Sequence, residues 1–439
     1  MLKVAKFGGS SMADAGQYAK VKAILDSDPS RSVVVVSAAG KRFEGDHKIT
    51  DLLYLCYAHI QYGVDCEGVF SMIADRCRGI CRDLRLGVDI ENELALLRAE
   101  LKPGVSQDWL VSRGEYLSAL MLADYLDFDF LDSIRWLKFR FDGTVDKETS
   151  YAALAGLACG RKVVIPGFYG VLPDGHIRVM TRGGSDITGA LAAAALDADV
   201  YENWTDVSGI LMADPRIVDN PDTIPRITYA ELRGLSYMGA QVLHEASIFP
   251  VREKHIPLNI RNTNDPGHPG TVIMEDFPDE LPEDRKRLIT GIAGRRDFTI
   301  ITVAKTGMSS AVGILKQILE VFEKHGVCVE YTPSGIDSVS LVVSTAKTAN
   351  CIYSLVGDIQ KAVQPDSIDL TDRISVVAAV GRKMAYQPGS SGALFAALGK
   401  NGINVRMISQ GPEELNIIVG VNNDDFEKTI RVIYDSFVK

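Results

Sequence analysis

Short runs of β-branched residues alternate with longer amphipathic segments along the first 285 residues of the chain. Four of these runs predict buried strands, at 32–37, 163–165, 200–204 and 257–261, and the apolar residues near Val4 and Phe7 predict another. The amphipathic segments predict helices at about 15–26, 50–62, 67–84, 89–101, 112–124, 185–196, 229–233 and 238–248. Strands that alternate with helices indicate a parallel sheet covered on both faces, so residues 1–285 are expected to form a three-layer α/β/α sandwich.

The rest of the chain contains an internal repeat with an offset of 76 residues. Each copy has the order strand, helix, strand, strand, helix, strand, and this order predicts two ferredoxin-like βαββαβ units, at 286–371 and 372–439. Matching positions include Gly313 and Gly389, Gly326 and Gly402, and Val329 and Val405. The boundary near Thr371 applies to the sequence only, because two such units can share a strand. The charged, proline-containing segment Glu275–Arg287 is expected to be the linker that precedes them.

The net charge of −10 lies in residues 1–287, because residues 288–439 contain 15 basic and 15 acidic side chains. An acidic region does not attract nucleic acid, so a nucleic-acid partner is not expected. No apolar stretch reaches the roughly 20 residues of a membrane span, and Lys3 and Lys6 interrupt the start too early for a signal peptide. We therefore expect no membrane partner. We expect a cytoplasmic location.

The seven cysteines show no CxxC pair. Cys77 and Cys81 are spaced so that they could share a helix face, but no histidine lies nearby to complete a zinc site. Small buried apolar side chains are therefore favoured over a metal site.

The segment Lys6-Phe7-Gly8-Gly9-Ser10-Ser11 follows the first predicted strand and leads into the first predicted helix. A turn at this place exposes backbone N–H groups at the positive end of a helix dipole, where an anion is stabilised, and Lys6 adds a cation. The chain has no GxxxxGK[ST] segment, so this would be a phosphate site of another kind. A plain turn is the alternative at this point.

Five segments, in the same order, resemble the aspartate kinases of the amino acid kinase family over essentially all 439 residues. The first resembles the KFGGTS signature, and the others are Val111–Glu115, Thr181–Asp186, Trp204–Ile210 and Asp214–Arg216. The resemblance implies ATP- and Mg²⁺-dependent phosphorylation of the β-carboxylate of L-aspartate to 4-phospho-L-aspartate, which opens lysine, threonine and methionine biosynthesis. It also implies that the two C-terminal units are tandem ACT domains, and that the chain forms a homo-oligomer, a dimer or a tetramer.

The same resemblance implies roles for single residues. Lys6 would stabilise the transferred phosphoryl group and Asp186 would orient Lys6. Arg182 and Glu115, from separate loops, would bind the carboxylate and the ammonium group of aspartate, and Thr50 and Ser185 would also contact the substrate. Ser185 or Asp186 could instead simply cap the helix that follows.

The resemblance also implies a set of nucleotide contacts, which lie in the KFGGTS-like segment, in or next to Trp204–Ile210 and Asp214–Arg216, and at one later position. These residues are Lys6, Gly8, Gly9, Ser10, Thr205, Asp206, Leu211, Arg216 and Gln241. Leu211 and Gln241 stand where the family commonly has tyrosine and lysine. Loss of a cation near the nucleotide is expected to weaken its binding by about 1.5–3 kcal/mol.

An end-product amino acid is expected to bind the first ACT-like unit and inhibit the enzyme. The residues that resemble the effector pocket of lysine-sensitive aspartate kinases are Met308, Gly313, Ile314, Leu315, Val329, Glu330 and Ser334. Ile336 stands where that subgroup has a second acidic contact, so lysine, threonine or both remain open as effectors.

Two other functions remain open at this point. The chain could be another amino acid kinase, acting on a glutamate derivative, carbamate or UMP. It could also be a catalytically silent amino-acid sensor, which only the departure at Gln241 favours. The ferredoxin-like units could likewise serve in packing alone.

Overall fold

A computed structural model describes residues 1–180, 183–240, 245–277, 288–382, 384, 387–411 and 415–438. The chain divides into two compact units. Unit 1 comprises Met1–Ile210, Thr223–Ile227 and Val242–Asp276, and unit 2 comprises Leu211–Asp222, Thr228–Gln241 and Phe277–Lys439. Two short segments that precede residue 285 therefore belong to unit 2, while the domain limits at 285 and 371 stay a prediction.

The strands before residue 278 are β1 (Lys3–Phe7), β2 (Val33–Val36), β3 (Asp129–Phe130), β4 (Val163–Pro166), β5 (Tyr169–Val171), β6 (Ile177–Val179), β7 (Val200–Thr205), β8 (Ile210–Leu211), β9 (Thr223–Ile224), β10 (Arg226–Thr228), β11 (Leu258–Asn262) and β12 (Thr271–Met274). The helices of the same region are α1 (Ala15–Asp26), α2 (Ile49–Gln61), α3 (Glu67–Leu84), α4 (Ile90–Ala99), α5 (Gln107–Leu126), α6 (Lys147–Ala158), α7 (Gly184–Ala195), α8 (Tyr229–Tyr237) and α9 (Glu245–Glu253). Of these helices, α8 belongs to unit 2. Among the described residues, no helix is both long enough and apolar enough to cross a membrane.

The main sheet of unit 1 has the strand order β10-β12-β11-β7-β1-β2-β4-β3. Strands β11, β7, β1, β2, β4 and β3 pair in parallel, and β12 pairs antiparallel to β11. The central strand β1 lies between β2 and β7, with Lys6 opposite Val35 on one side and Asn203 on the other. The carboxyl ends of β1, β2 and β7 therefore meet at one edge of the sheet.

The two faces of this sheet are covered by different helices. Ala5, Phe7 and Trp204 belong to the core that packs against α1 to α5. Successive side chains of a strand point to opposite faces, so Lys6 and its neighbour Asn203 point to the other face, against which α7 packs. The predicted three-layer α/β/α sandwich is confirmed.

Unit 2 contains the strands β13 (Gly291–Ala304), β14 (Ser338–Ser344), β15 (Ser367–Val380), β16 (Met407–Ser409) and β17 (Asn416–Asn422). Its helices after residue 287 are α10 (Ile314–Lys324), α11 (Thr345–Thr348), α12 (Ile352–Val363), α13 (Ser390–Lys400) and α14 (Phe426–Phe437). The strands form one antiparallel sheet in the order β14-β13-β15-β17-β16.

The two long strands of unit 2 join the repeats. β13 and β15, the first strand of each copy, pair antiparallel over their whole length, from Gly291 opposite Val380 to Ala304 opposite Ser367. The first half of β13 thus extends the sheet of the second repeat, while its second half pairs with β14 of the first. A boundary drawn in the sequence does not separate two independent sheets.

Candidate active site

Two glycine-containing turns meet at the carboxyl ends of β1 and β2. The Gly40 N–H donates to the Gly9 carbonyl at 2.8 Å, and the Gly8 N–H donates to the Trp204 carbonyl at 2.9 Å. A Cβ atom on Gly40 would lie 2.6 Å from the Gly9 carbonyl carbon, and one on Gly9 would lie 2.9 Å from the Ala38 oxygen. Glycine is required at both positions because the two backbones are in direct contact.

The same turn presents unused hydrogen-bond donors. Gly9 begins a 3-10 helix, Gly9–Met12, and within the described residues no acceptor is bonded to the N–H groups of Gly9 and Ser10. Ser10 is half-buried, and the hydroxyl of Ser11 is bonded to that of Thr263 at 2.7 Å. Two adjacent N–H groups at a helix start form an anion-binding arrangement.

A buried ion pair between Arg76 and Asp46 stabilises the turn that contains Gly40. Arg76 of α3 donates from Nη1 to the Gly40 carbonyl at 3.0 Å and from Nη2 to Asp46 Oδ2 at 2.8 Å. Both side chains are about 5% exposed. The hydrogen bond from Arg42, with a smaller effect of the positive charge of Arg76, holds the pKa of the Asp46 carboxyl well below its usual range. No pattern in the sequence predicts this pair, because a charged residue on an amphipathic helix usually faces water.

Lys6, Asp186 and Asn203 form the centre of the site. The Lys6 ammonium lies 2.5 Å from Asp186 Oδ1. The Asn203 amide donates from Nδ2 to the same Asp186 oxygen at 3.0 Å, and its Oδ1 lies 3.5 Å from Lys6 Nζ. The structure thus brings together two residues that the sequence analysis paired, Lys6 and Asp186, and adds a third that it missed.

Asp186 reaches Lys6 from the first turn of α7. The helix begins after Gly183, whose φ of 59° is one that glycine adopts without strain. The alternative that Ser185 or Asp186 only caps this helix is wrong, since both lie inside it and the cap residue is Gly183. Ser185 is buried, and Arg182 lies outside the described residues.

Glu115 lies in the middle of α5 and not in a loop, so that part of the sequence analysis is wrong. The α5 helix begins at Gln107 because the Ser106 side chain accepts a hydrogen bond from the Trp109 N–H. The Glu115 side chain is buried, and burial raises its pKa to about 8 despite hydrogen bonds from the backbone N–H groups of Ala38 and of Glu115 itself. Its Oε2 atom has no hydrogen-bond partner among the described residues.

The bond to Ala38 connects Glu115 to the turn that touches Gly9. The next residue of that turn, Ala39, accepts from the Ile49 N–H at 3.0 Å, which places Thr50 in the first turn of α2. Thr50 is half-buried. When ionised, a buried carboxyl group with one oxygen that no described residue bonds is suited to binding a small cation such as an amino-acid ammonium group.

The residues predicted to contact nucleotide lie in both units. In unit 1, Thr205 ends β7 and donates to Asp206 Oδ1 at 3.2 Å. In unit 2, Leu211 ends β8, and Arg216 is 87% exposed and paired with Asp214 at 2.6 Å. Gln241 lies outside the described residues. The role of each in nucleotide binding stays a prediction.

The predicted effector residues all lie in unit 2, and three of them are at the start of α10. Gly313, with φ of 89°, precedes the helix, Ile314 is buried, and Leu315 is 48% exposed. Met308 and Val329 pack against the core of the first repeat.

Glu330 and Ser334 lie in the segment before β14. Ser334 is exposed. Glu330 is already engaged, since it accepts a hydrogen bond from the Tyr237 hydroxyl and lies 3.5 Å from Arg295 Nη1. Its role in effector binding stays a prediction.

Comparison with known proteins identifies the family of the chain. The model of the amino acid kinase family matches residues 1–262, and an ACT domain model matches residues 377–437. Aspartokinase 3 of Bacillus subtilis is 31% identical over 452 residues, which cover 99% of this chain and 98% of that protein. The chain belongs to the aspartokinases of the amino acid kinase family. Its kinase fold, its catalytic class and its C-terminal ACT region are those of this family.

Solved aspartokinases have the same fold. The crystal structure of Clostridium acetobutylicum aspartate kinase superposes with a TM-score of 0.90, at 45% identity and with 99% of both chains covered. Escherichia coli aspartokinase III has been solved with aspartate and ADP in the R-state, at a TM-score of 0.71 and 26% identity. It has also been solved with lysine and aspartate in the T-state, at a TM-score of 0.73 and 25% identity, and both comparisons cover 100% of each chain.

Proposed function

We propose that this aspartokinase transfers the γ-phosphoryl group of ATP to the β-carboxylate of L-aspartate and releases ADP and 4-phospho-L-aspartate. The observation that carries the proposal is the Lys6–Asp186 ion pair beside the N–H groups of Gly9 and Ser10, for which the described residues supply no acceptor. An ammonium group and two N–H donors at one sheet edge match the charge of a phosphoryl group in transfer.

The acceptor needs no general base. A side-chain carboxylate is ionised at neutral pH and is itself the nucleophile, so the enzyme must supply position and charge neutralisation. Lys6 would neutralise the charge that develops on the transferred group, and Asp186 would hold the ammonium group in place. Such a contact acts on the transition state more than on either bound substrate.

Substrate selection would depend on a pair of opposite charges. The Glu115 carboxylate is buried, and one of its oxygens has no partner in the part of the chain that the structure describes; it would bind the α-ammonium group of aspartate. Arg182 would bind a substrate carboxylate in a bidentate manner, and Thr50 and Ser185 would add hydrogen bonds. Ligands with a phosphate or a carbamate in place of the amino group would leave Glu115 unpaired, and this argues against UMP and carbamate as substrates.

Magnesium would enter with the nucleotide as part of the substrate. Within the described residues there is no group of three or more histidine, cysteine or acidic side chains that could hold a metal ion. This agrees with the chemistry of Mg²⁺, which is commonly held by phosphate oxygens, water and one or two carboxylates.

Regulation and assembly complete the proposal. We expect lysine, threonine or both to inhibit by binding the first repeat of unit 2, near Gly313 and Glu330, and we expect a homodimer or tetramer in the cytoplasm. E. coli aspartokinase III, with lysine bound in its T-state, is the similar structure that supports lysine as the first effector to test.

A coupled assay for ADP release tests the function. ADP release should depend on L-aspartate, and added hydroxylamine should trap the acyl phosphate as the aspartyl hydroxamate. N-acetylglutamate, carbamate and UMP serve as alternative acceptors in parallel. ADP release that is independent of L-aspartate, or greater with one of these acceptors, would overturn the proposal, and absence of release with all of them would favour a silent sensor.

A further inference from the structure

Asn203 is a buried polar residue in the centre of the main sheet of unit 1. It is 3% exposed and lies in β7 directly opposite Lys6 of β1. Residues aligned across a parallel pair point to the same face, so the two side chains lie side by side beneath α7. A buried amide in a central strand is costly unless both its ends are bonded.

Both ends of this amide are directed at the Lys6–Asp186 ion pair. Nδ2 donates to Asp186 Oδ1 at 3.0 Å, and Oδ1 lies 3.5 Å from Lys6 Nζ. The orientation is determined by charge, because a flipped amide would direct its NH₂ at the ammonium group and its oxygen at the carboxylate. Only one of the two amide orientations therefore suits both Lys6 and Asp186.

This arrangement restricts the Lys6 ammonium group. Within the described part of the chain, its contacts at 3.5 Å or less are Asp186 and Asn203. An ammonium group has three N–H donors, so one donor remains for a ligand. With the other two directed at residues of β7 and α7, the third has a defined direction.

We propose that Asn203 is a positioning residue, which fixes the direction of the Lys6 ammonium group and of the Asp186 carboxylate before the substrates bind. The proposal rests on the assigned phosphoryl transfer, since it concerns the residue that would act on the transferred group. Asn203 does not itself contact a substrate in this account. It acts on the turnover number through the geometry of Lys6.

The test compares Asn203→Ala with a control on the same strand. Tyr201 also reaches α7 from β7, because its hydroxyl donates to the backbone carbonyl of Asp186 at 3.0 Å. Among the hydrogen bonds of the described residues, none joins Tyr201 to the Asp186 carboxylate or to Lys6. Asn203→Ala should lower kcat by roughly tenfold to a hundredfold, with less than about a threefold change in the KM of ATP and of aspartate. Tyr201→Phe should change kcat by less than about threefold.

Asn203→Asp provides a second readout that a purely structural role would not move. The charged groups that face position 203 are Lys6 from β1 and Asp186 from α7, and β11 places Ile260 opposite it. A protonated carboxyl at this position can accept from Lys6 and donate to Asp186 as the amide does, whereas the ionised form repels Asp186. The kcat of Asn203→Asp should therefore rise, relative to that of wild type, as the pH is lowered.

Three results would overturn the proposal: an unchanged kcat in Asn203→Ala, an equal loss in Tyr201→Phe, or a pH profile of Asn203→Asp parallel to that of wild type. If the wild-type protein shows no aspartate-dependent ADP release, the assigned function fails, and Asn203 is then judged by NMR of ¹⁵N-labelled lysine side chains. The Lys6 signal, identified by its loss in Lys6→Met, should be visible in wild type and in Tyr201→Phe and broadened in Asn203→Ala. A Lys6 signal that is the same in all three proteins would contradict the positioning role independently of activity.

Discussion

The raised pKa of Glu115 predicts that aspartate binding depends on pH in the neutral range. Burial raises the pKa of this carboxyl to about 8, so in the free enzyme most molecules carry it protonated at pH 7. A protonated carboxyl cannot pair with an ammonium group. If binding requires the ionised form, the apparent KM for aspartate contains the factor 1 + 10^(pKa − pH), and it should fall about 25-fold between pH 6.5 and pH 8.5.

The direction follows from the charges around the residue. Burial destabilises the ionised form of a carboxyl group and so raises its pKa. A bound cation stabilises the ionised form and so lowers the pKa again. The nearby charged and titratable groups are Arg113, which favours ionisation of Glu115, and the hydroxyls of Tyr54 and Tyr169, whose own pKa values are raised mainly by burial and in small part by Glu115. The ammonium group of free aspartate stays protonated throughout this pH range, so the enzyme carboxyl determines the slope.

Steady-state kinetics at saturating ATP measure this effect, and Glu115→Gln removes it. The variant should raise the KM for aspartate roughly tenfold to a hundredfold at pH 8.5, the equivalent of about 1.5–3 kcal/mol for a hydrogen bond to a charged group, and it should have little pH dependence. Asp108→Asn is the matched control, because Asp108 begins the same helix and its carboxylate accepts from the Val179 N–H at 3.2 Å. It should retain the wild-type slope.

Calorimetry gives an independent measure of the same event. At pH 7, aspartate binding should release about 0.9 proton, as found from titrations in buffers of different ionisation enthalpy. A KM for aspartate that does not change with pH, or a slope that persists in Glu115→Gln, would refute the reasoning.

Three further variants test the site and one tests regulation. Lys6→Ala should lower kcat by at least about a hundredfold with a small change in the KM of aspartate, as stopped assays of ADP can show, and near-normal turnover would exclude the assigned role. Gly40→Ala should lower the melting temperature and raise the KM of ATP, because its Cβ would lie 2.6 Å from the Gly9 carbonyl carbon. Arg182→Lys should raise the KM of aspartate, since a point charge does not replace a planar fork, and an unaltered KM would move the carboxylate contact elsewhere. Glu330→Ala should relieve inhibition by millimolar lysine without lowering the uninhibited rate, and an equally sensitive variant would place the effector at another residue.

The elements of unit 1 could be predicted from the sequence where hydrophobic period and length agree. The strands at 33–36 and 200–205 and the helices at 15–26 and 67–84 lie within a residue or two of their expected limits. The first strand is an unbroken run of valines, and the two helices are 12 and 18 residues long. The helix α6 was not predicted. Its start depends on the Asp146 side chain, which accepts from the Thr149 N–H, and its apolar residues are mostly alanines that give a weak period.

The site could be predicted only as far as its motifs are contiguous. Lys6 and Asp186 were paired by resemblance, and the structure places them 2.5 Å apart. Asn203 was missed although it stands directly before Trp204, because its partners come from residues 17 and 197 positions away and depend on the register of β1 with β7. No local pattern carries that information.

Both ends of α8 make polar contacts within unit 2, and one of these contacts involves the predicted effector residue Glu330. At the start of the helix, the buried carboxylate of Glu231 accepts from the backbone N–H and the guanidinium of Arg382, and at its end Tyr237 donates to Glu330. An effector ammonium group that binds Glu330 must therefore compete with Tyr237 and with Arg295. The free energy that such an effector contributes to inhibition is the difference between its own contacts and those that it displaces, which is how a ligand favours one conformational state over another. An effector that displaces Tyr237 from Glu330 would remove this hydrogen bond from the end of α8.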